Sequence, residues 1–404
     1  MADFEPADDR EELRSAWEAF CDRLRDGAEV VLDPARPTDA ADRAEGIRHL
    51  LRRLQIAIGT GVEGGDHTHP ELAWTHPSKT GQDNPDGLYQ AASVDLDRTY
   101  RLSGNVGSVC YLGITVMSFN FGRGPIRHLL TVNGDALPVD ERGDFEMFLG
   151  GTTPPAGVAD GTWFELPAIR CKLFVRQFFN DWETEVPADL HFECLDPGPA
   201  TSRRDGPTTI GHLSTVADQV VDMTAFWAGF GGGHRDRGEV NSFAHKVTDR
   251  VSNVTMGGSP DQGYGQTWWH VEEDKALLYE VEVPDCAYWA VQLGDVWYQS
   301  LDWVNRQSSL NGHQAVVSAD GVFRAVISQR DPGIANWLDT TGATQGCITY
   351  RWNQADSNPV PTLELVAFDD LAARLDDRWA PITQDERSEV LRLRRRGALR
   401  RFRR

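Results

Sequence analysis

Apolar and polar positions change their rhythm at Leu88: before it apolar residues recur every three or four positions, and after it every second position. The first rhythm predicts a helix over 10–26, with Leu13, Trp17, Phe20 and Leu24 on one face, and a second over 38–59 with Thr38 as N-cap. Both end near glycine, a common helix stop. A Gly- and His-bearing loop follows over 59–87. The second rhythm predicts strands over 100–103, 108–119, 128–132, 145–149, 163–166, 172–179 and 190–195, punctuated by turn pairs such as Gly104-Asn105 and Asn133-Gly134. A Pro-, Gly- and Arg-rich linker over 195–205 leads into a helix over 208–229, which Gly231-Gly232-Gly233 is expected to stop. A second strand-rich block spans 267–366, and a last helix begins near Thr383.

The pattern predicts a mainly β fold of two antiparallel β-sandwich, jelly-roll-like modules, with an N-terminal helical cap, a helical insert and a C-terminal helix. The expected boundaries are 1–80 for the cap and loop, 81–200 for the first module and 201–265 for the linker and insert. The second module takes 266–368 and a basic helical tail 369–404. A chain of 404 residues has room for this plan.

A net charge of -21 argues against general nucleic-acid or anionic-membrane binding. Arginines nevertheless crowd 391–404, where they suit either a phosphate polymer or a helix folded back on the acidic body, the simpler of the two. No apolar signal core opens the chain and no run reaches membrane-spanning length. Cysteines 21, 110, 171, 194, 286 and 347 form no C-x-x-C pair and read as free thiols of a reducing cytoplasm.

Candidate chemistry concentrates between Trp289 and Trp352, where indoles, guanidiniums, carboxylates and amides interleave at strand spacing. Trp297, Trp303 and Trp337 could line a small-molecule pocket, with Asn305 and Asn336 nearby. Arg306 and Arg330 could hold an anionic group, or Arg330 could pair with Asp331 to pin the Pro332-Gly333 turn. Asp302, Asp339 and His313 are the acid–base candidates. Asp83, Asn84, Asp86 and Tyr89 form a turn-rich motif that suits either a ligand rim or plain turn formation. All of these also suit a structural polar network in a sandwich. His67, His69 and His76 bring three imidazoles into ten residues without a recognised metalloenzyme spacing, so no metal is assigned. The Asp369-Asp370 and Asp376-Asp377 pairs sit beside Arg374 and Arg378, where salt bridging is the expected role. There is no G-x-S-x-G, no Walker loop and no dinucleotide fingerprint, and no cofactor is expected.

Taken together, Asp83-Asn84-Pro85-Asp86 with Tyr89, residues 100–104, and Arg176 through Trp182 resemble the front half of actinobacterial proteins assigned to domain of unknown function 1214 and its partner, number 1254. Trp289, Trp297, residues 300–302, Asn305-Arg306, Asp320-Gly321, residues 330–333, residues 336–339 and Arg351-Trp352 resemble the back half more closely. The resemblance implies two jelly-roll-like modules per chain and a homo-oligomer; it implies no reaction. The residues leave two functions open. One is an intracellular enzyme of lyase or hydrolase type acting on a ring-bearing small molecule in the C-terminal module. The other is a non-catalytic small-molecule-binding or scaffold protein. Neither reading involves nucleic acid or membrane.

Overall fold

The computed structural model describes residues 9–36, 38–64, 66–75, 78–118, 126–198, 205–243 and 258–402. Its strands are β1 (Ala73–Trp74), β2 (Gly87–Asp95), β3 (Tyr100–Asn105), β4 (Tyr111–Ser118), β5 (Arg127–Asn133), β6 (Asp144–Leu149), β7 (Trp163–Phe164), β8 (Arg170–Phe178) and β9 (Asp189–Cys194). They form two sheets, β1-β2-β8-β4-β5 and β7-β6-β3-β9. Alternation decides what lies between the sheets: Val94, Ile114, Leu173 and Val175 from one meet Tyr100, Leu102, Met147 and Phe192 from the other.

The second sandwich repeats the plan with β10 (Gln262–His270), β11 (Lys275–Glu282), β12 (Tyr288–Leu293), β13 (Ser309–Asn311), β14 (Val322–Ser328), β15 (Trp337–Asp339), β16 (Gln345–Asn353) and β17 (Thr362–Ala367). Its sheets are β10-β16-β12-β13 and β15-β14-β11-β17. Trp269, Leu277, Tyr279, Val291, Phe323, Ile348 and Trp352 fill the space between them. The fold is thus mainly β, with helices at both ends and between the modules.

The helices are α1 (Arg10–Leu32), α2 (Ala40–Ile58), α3 (Gly206–Asp236), α4 (Leu371–Arg374) and α5 (Gln384–Arg401). Three of their expected ends move. The first helix continues through Gly27, where a Cβ would come 3.1 Å from Leu50 of α2. The second is capped by Asp39 rather than Thr38, because the Asp39 carboxylate accepts Asp42 N at 2.7 Å and Asp42 returns the bond. The third runs through Gly231-Gly232-Gly233 to Asp236. Gly231 is there for packing, since a Cβ would lie 2.9 Å from the Cys347 sulfur. The last helix is capped by Thr383 with Glu386 in a capping box. None of the helices among the described residues is long and apolar enough to cross a membrane.

Helix α5 folds back onto the body. Arg387, Arg394 and Arg401 recur every seventh residue, so they share one face, and all three are buried. Arg387 pairs with Asp331 at 3.0 Å. Arg394 donates to Trp303 O and Gln314 Oε1 and lies over the Trp182 ring at 4.6 Å. Arg401 donates to Pro85 O at 2.7 Å and stands 4.3 Å from the centre of the Trp182 ring. On the exposed side Arg396 meets Glu183.

A buried carboxylate joins the two sandwiches beside Arg401. Asp86 accepts Trp182 Nε1 at 2.7 Å from the first, and Asn311 Nδ2 at 2.8 Å and Tyr288 OH at 2.7 Å from the second. A second buried carboxyl, Asp295, braces the loop over 294–300. It accepts Trp297 N, Gln299 N and Gln299 Nε2 at 2.9, 3.0 and 2.9 Å. Burial pushes its pKa up to about 7, against the downward pull of those bonds; Glu45 raises it further and Lys79 lowers it.

Asp86→Ala is expected to cost about 3–5 kcal/mol, because it strands three donors next to a buried guanidinium. Urea unfolding followed by tryptophan fluorescence reads this, and a loss under about 1 kcal/mol would place the join elsewhere. Asp295 binds its proton more tightly folded than unfolded, so its contribution is whole below the unfolded value of 3.8 and falls as pH rises through about 7. Asp295→Asn should therefore gain on wild type in melting temperature between about pH 5 and about pH 8. A gap that stays constant across that range would refute the assignment.

Candidate functional site

Period two also fixes what leaves each core. On β8, Leu173 and Val175 point inward, so Lys172, Phe174 and Arg176 point out; Tyr89 and Ala91 do the same on β2. On the second sandwich Tyr264 and Gln266 of β10 and Arg351 of β16 leave the core opposite Trp269, Tyr350 and Trp352. These two outward faces look at each other rather than at water. They touch through Tyr111, Phe178, Tyr288 and Ala290, and elsewhere enclose a cavity of 630 Å³. Helices α2 and α3 and the segment over 78–83 also line it.

One end of the wall is aromatic. Trp227 of α3 stacks on Tyr298 with ring centres 5.2 Å apart and planes 12° apart, and Phe230 meets Tyr298 edge-on at 5.0 Å. Tyr298 (φ 60°) and Gln82 (φ 53°) both occupy the left-handed region, and Gln82 N donates to Tyr298 O at 2.8 Å. Two such residues hydrogen-bonded across a cavity wall are held there by their surroundings. Burial raises the Tyr89 and Tyr298 phenols above their ordinary range, so they stay neutral and can donate.

The polar wall is rich in cations. Arg351 donates through Nη2 to Gln82 O at 2.7 Å and through Nη1 to Gln292 Oε1, with its guanidinium 5.5 Å from the Tyr264 ring centre. Arg176 donates to Thr115 Oγ1 at 3.1 Å. Lys172 reaches Ser93 Oγ at 2.7 Å, and burial lowers its pKa. Arg53 of α2 donates to Thr80 Oγ1 at 2.8 Å. Among the described residues three carboxylates also line the space. Asp218 and Asp222 are bound by Arg23 at 3.2 and 2.9 Å. Asp83 accepts Ser300 N at 3.0 Å and Ser300 Oγ at 2.7 Å, which aims and fixes its carboxylate. The arrangement can stack a ring, answer negative charge and present one oriented carboxylate for proton transfer.

Of the candidate site residues read from sequence, Asp83 and Tyr89 line this cavity, as do Arg176 and Arg351 of the motifs that carry the family resemblance. The others do not, and their surroundings correct the expectation of a pocket inside the C-terminal module. Trp297 is buried, with Nε1 donating to Asp42 O at 2.7 Å; Trp337 is buried, with Nε1 on Ser328 O at 3.0 Å. Trp303 packs edge-on against Trp182 beneath α5. Asp302 is exposed and accepts Val304 N, Asn305 N and the Asn305 amide, a turn bonding itself. Asp339 is buried, bound by Arg306 at 3.0 Å and by Thr341 N at 2.7 Å. Asn336 clamps Val316 and Arg324 through backbone bonds. Arg330 covers the Phe368 ring at 3.9 Å and faces Asp369, while Asp331 pairs with Arg387 instead, so the expected Arg330–Asp331 pair does not form. His313 is half-exposed, 4.0 Å from Asp181. Asn84 donates to Tyr288 OH beside Asp86, so both belong to the join between sandwiches.

The histidine loop does not converge. His67 lies 3.7 Å from Asp95 and His69 3.7 Å from Asp66, and His76 lies outside the described residues. Among the described residues no three His, Cys, Asp or Glu side chains are grouped to hold a metal ion. Sequence reading missed Arg53, Lys172, Phe174, Trp227, Phe230, Tyr264 and Tyr298 as site residues. A signal existed in Lys172-x-Phe174-x-Arg176, where the outward positions of a strand are large rings and cations rather than small polar groups.

No family model matches the chain, and no curated protein matches it. Among solved structures, an uncharacterised protein from Burkholderia cenocepacia is 33% identical with a TM-score of 0.82, over 89% of this chain and 99% of its own. A Vibrio parahaemolyticus protein is similar at 12% identity and a TM-score of 0.47, over 85% of this chain and 100% of that one. At 33% identity across nearly the whole of both molecules, this chain belongs to the family of the Burkholderia cenocepacia protein.

Proposed function

We propose that this chain is an enzyme of lyase or hydrolase type that holds a ring-bearing small molecule in the cavity between its two sandwiches. The observation that carries this reading is the cavity itself: 630 Å³ falls within the range of about 300–1,000 Å³ typical of small-molecule sites, and rings, cations and an oriented carboxylate share its walls. Asp83 is the acid–base group of this reading, Trp227 and Tyr298 hold the ring, and the buried cations answer developing or resident negative charge. Strain at Gln82 and Tyr298, on the same wall, supports a functional rather than a packing role.

We further propose that the family is that of domain of unknown function 1214, on the motif residues over 83–104, 176–182 and 289–352. A homo-oligomer in the cytoplasm is part of the same proposal. Six unpaired cysteines support that compartment, and exposed Trp17 and Leu51 on α1 and α2 support subunit contact.

Incubating the purified protein with a cell extract and following consumed compounds by mass spectrometry tests the reading. Wild type is expected to consume a ring-bearing compound, Asp83→Asn to bind it without converting it, and Trp227→Ala to bind it about tenfold or more weakly. A compound bound but left unchanged by wild type would favour the non-catalytic binding protein. Consumption undiminished in Asp83→Asn would remove Asp83 from the chemistry.

A further inference from the structure

Among the described residues Arg53 carries a charge that no carboxylate answers. It lines the cavity and is only 7% exposed. Thr80 Oγ1 takes its Nη1, Nε is buried without a partner, and no carboxylate pairs with it among the described residues. Other buried arginines have more around them: Arg324 has Glu280 and Asp320, Arg387 has Asp331, and Arg351 is bonded by amide and carbonyl oxygens, while Arg394 and Arg401, which also lack an ion pair among the described residues, lie over the Trp182 ring near the Asp86 carboxylate. Burial lowers the Arg53 pKa to about 10, so the guanidinium remains a cation at neutral pH. His49, one turn earlier on α2, is driven down to about 3 by burial and then by the Arg53 charge, and stays neutral. A buried cation without a counter-charge is destabilising, and a ligand's acid group in the cavity would supply that counter-charge.

The same wall connects Arg53 to the rings. Thr80 receives Arg53, and the next residue, Gly81, approaches Trp227 so closely that a Cβ would come within 2.8 Å of its indole. Gly81 has φ 62°, which suits glycine on both counts. Cation and ring stack are thus joined by two consecutive residues. We propose that the ligand is a planar-ring organic anion, a carboxylate or a phosphate monoester, whose acid group meets Arg53 while its ring lies against the Trp227–Tyr298 pair. The proposal rests on the cavity being the ligand site. It adds the sign of the ligand's charge and the residue that reads it, through the charge-assisted bonds that guanidinium makes with such groups.

Calorimetric titration of the purified protein with 2-naphthoate, 2-naphthyl phosphate and the neutral 2-naphthamide tests this. At least one anion is expected to bind about tenfold or more tightly than the amide, and comparing the two anions tells carboxylate from phosphate. Arg53→Gln should bring the anions down to the level of the amide and leave the amide unchanged. Arg53→Met should melt at or above the wild-type temperature, because it removes a buried charge without a partner. A marked fall in the melting temperature of Arg53→Met would show a structural cation and overturn the proposal. Equal binding of all three compounds would overturn the anion site and leave the ring cavity standing, whereas binding of none would overturn both.

Discussion

Burying a carboxylate is unfavourable unless donors surround it, and the relation between the two sandwiches depends on how Asp86 meets that condition. Its donors come from Trp182 on one side and from Tyr288 and Asn311 on the other, so the carboxylate is satisfied only when the modules are correctly docked. Tyr111, Phe178, Tyr288 and Ala290 add apolar contact next to it, but apolar contact alone tolerates sliding. Directional bonds to one buried group do not. Register between the sandwiches sets the spacing of the two outward faces, and that spacing is the cavity. A polar join therefore defines an aromatic site at a distance.

Helix α5 works on the same seam from outside. Its buried arginines cover rings from both modules: Arg401 reaches Trp182 and Phe179 of the first and Trp303 of the second. Guanidinium suits this place because it is flat, weakly hydrated and able to lie on an indole face while donating at its edge. The acidic composition of the chain gives such a helix many partners, as Arg396 with Glu183 shows. The described arginines of α5 from Arg392 to Arg401 are thus occupied within the molecule.

Much of the architecture was legible because alternation is a direct record of which side chains enter a core. Leu173 and Val175 against Lys172, Phe174 and Arg176 is such a record, and the strands around it lie close to their expected positions. Helix ends were less legible, since Gly27 and Gly231 permit close approach of a neighbour rather than marking a stop. The site was the least legible part. Alternation tells which residues leave a core, but not whether they meet water or the face of another sheet. The tryptophans of the second module drew attention because they are conspicuous in sequence. Trp297 and Trp337 instead spend their N–H groups on backbone carbonyls in packed surroundings. Lys172, Tyr264 and Arg53 lie far apart in the chain, and only the docking of two sandwiches and a helix makes them neighbours.

The bond from Arg401 to Pro85 closes a loop of 316 residues. A polypeptide emerging from the ribosome can shape each β sandwich on its own, in order of synthesis. The clasp over their junction must wait until both sandwiches have been translated. Newly made molecules therefore pass through an interval in which Trp182 and Trp303 lie uncovered, and a chaperone that recognises exposed indoles would meet them at that moment.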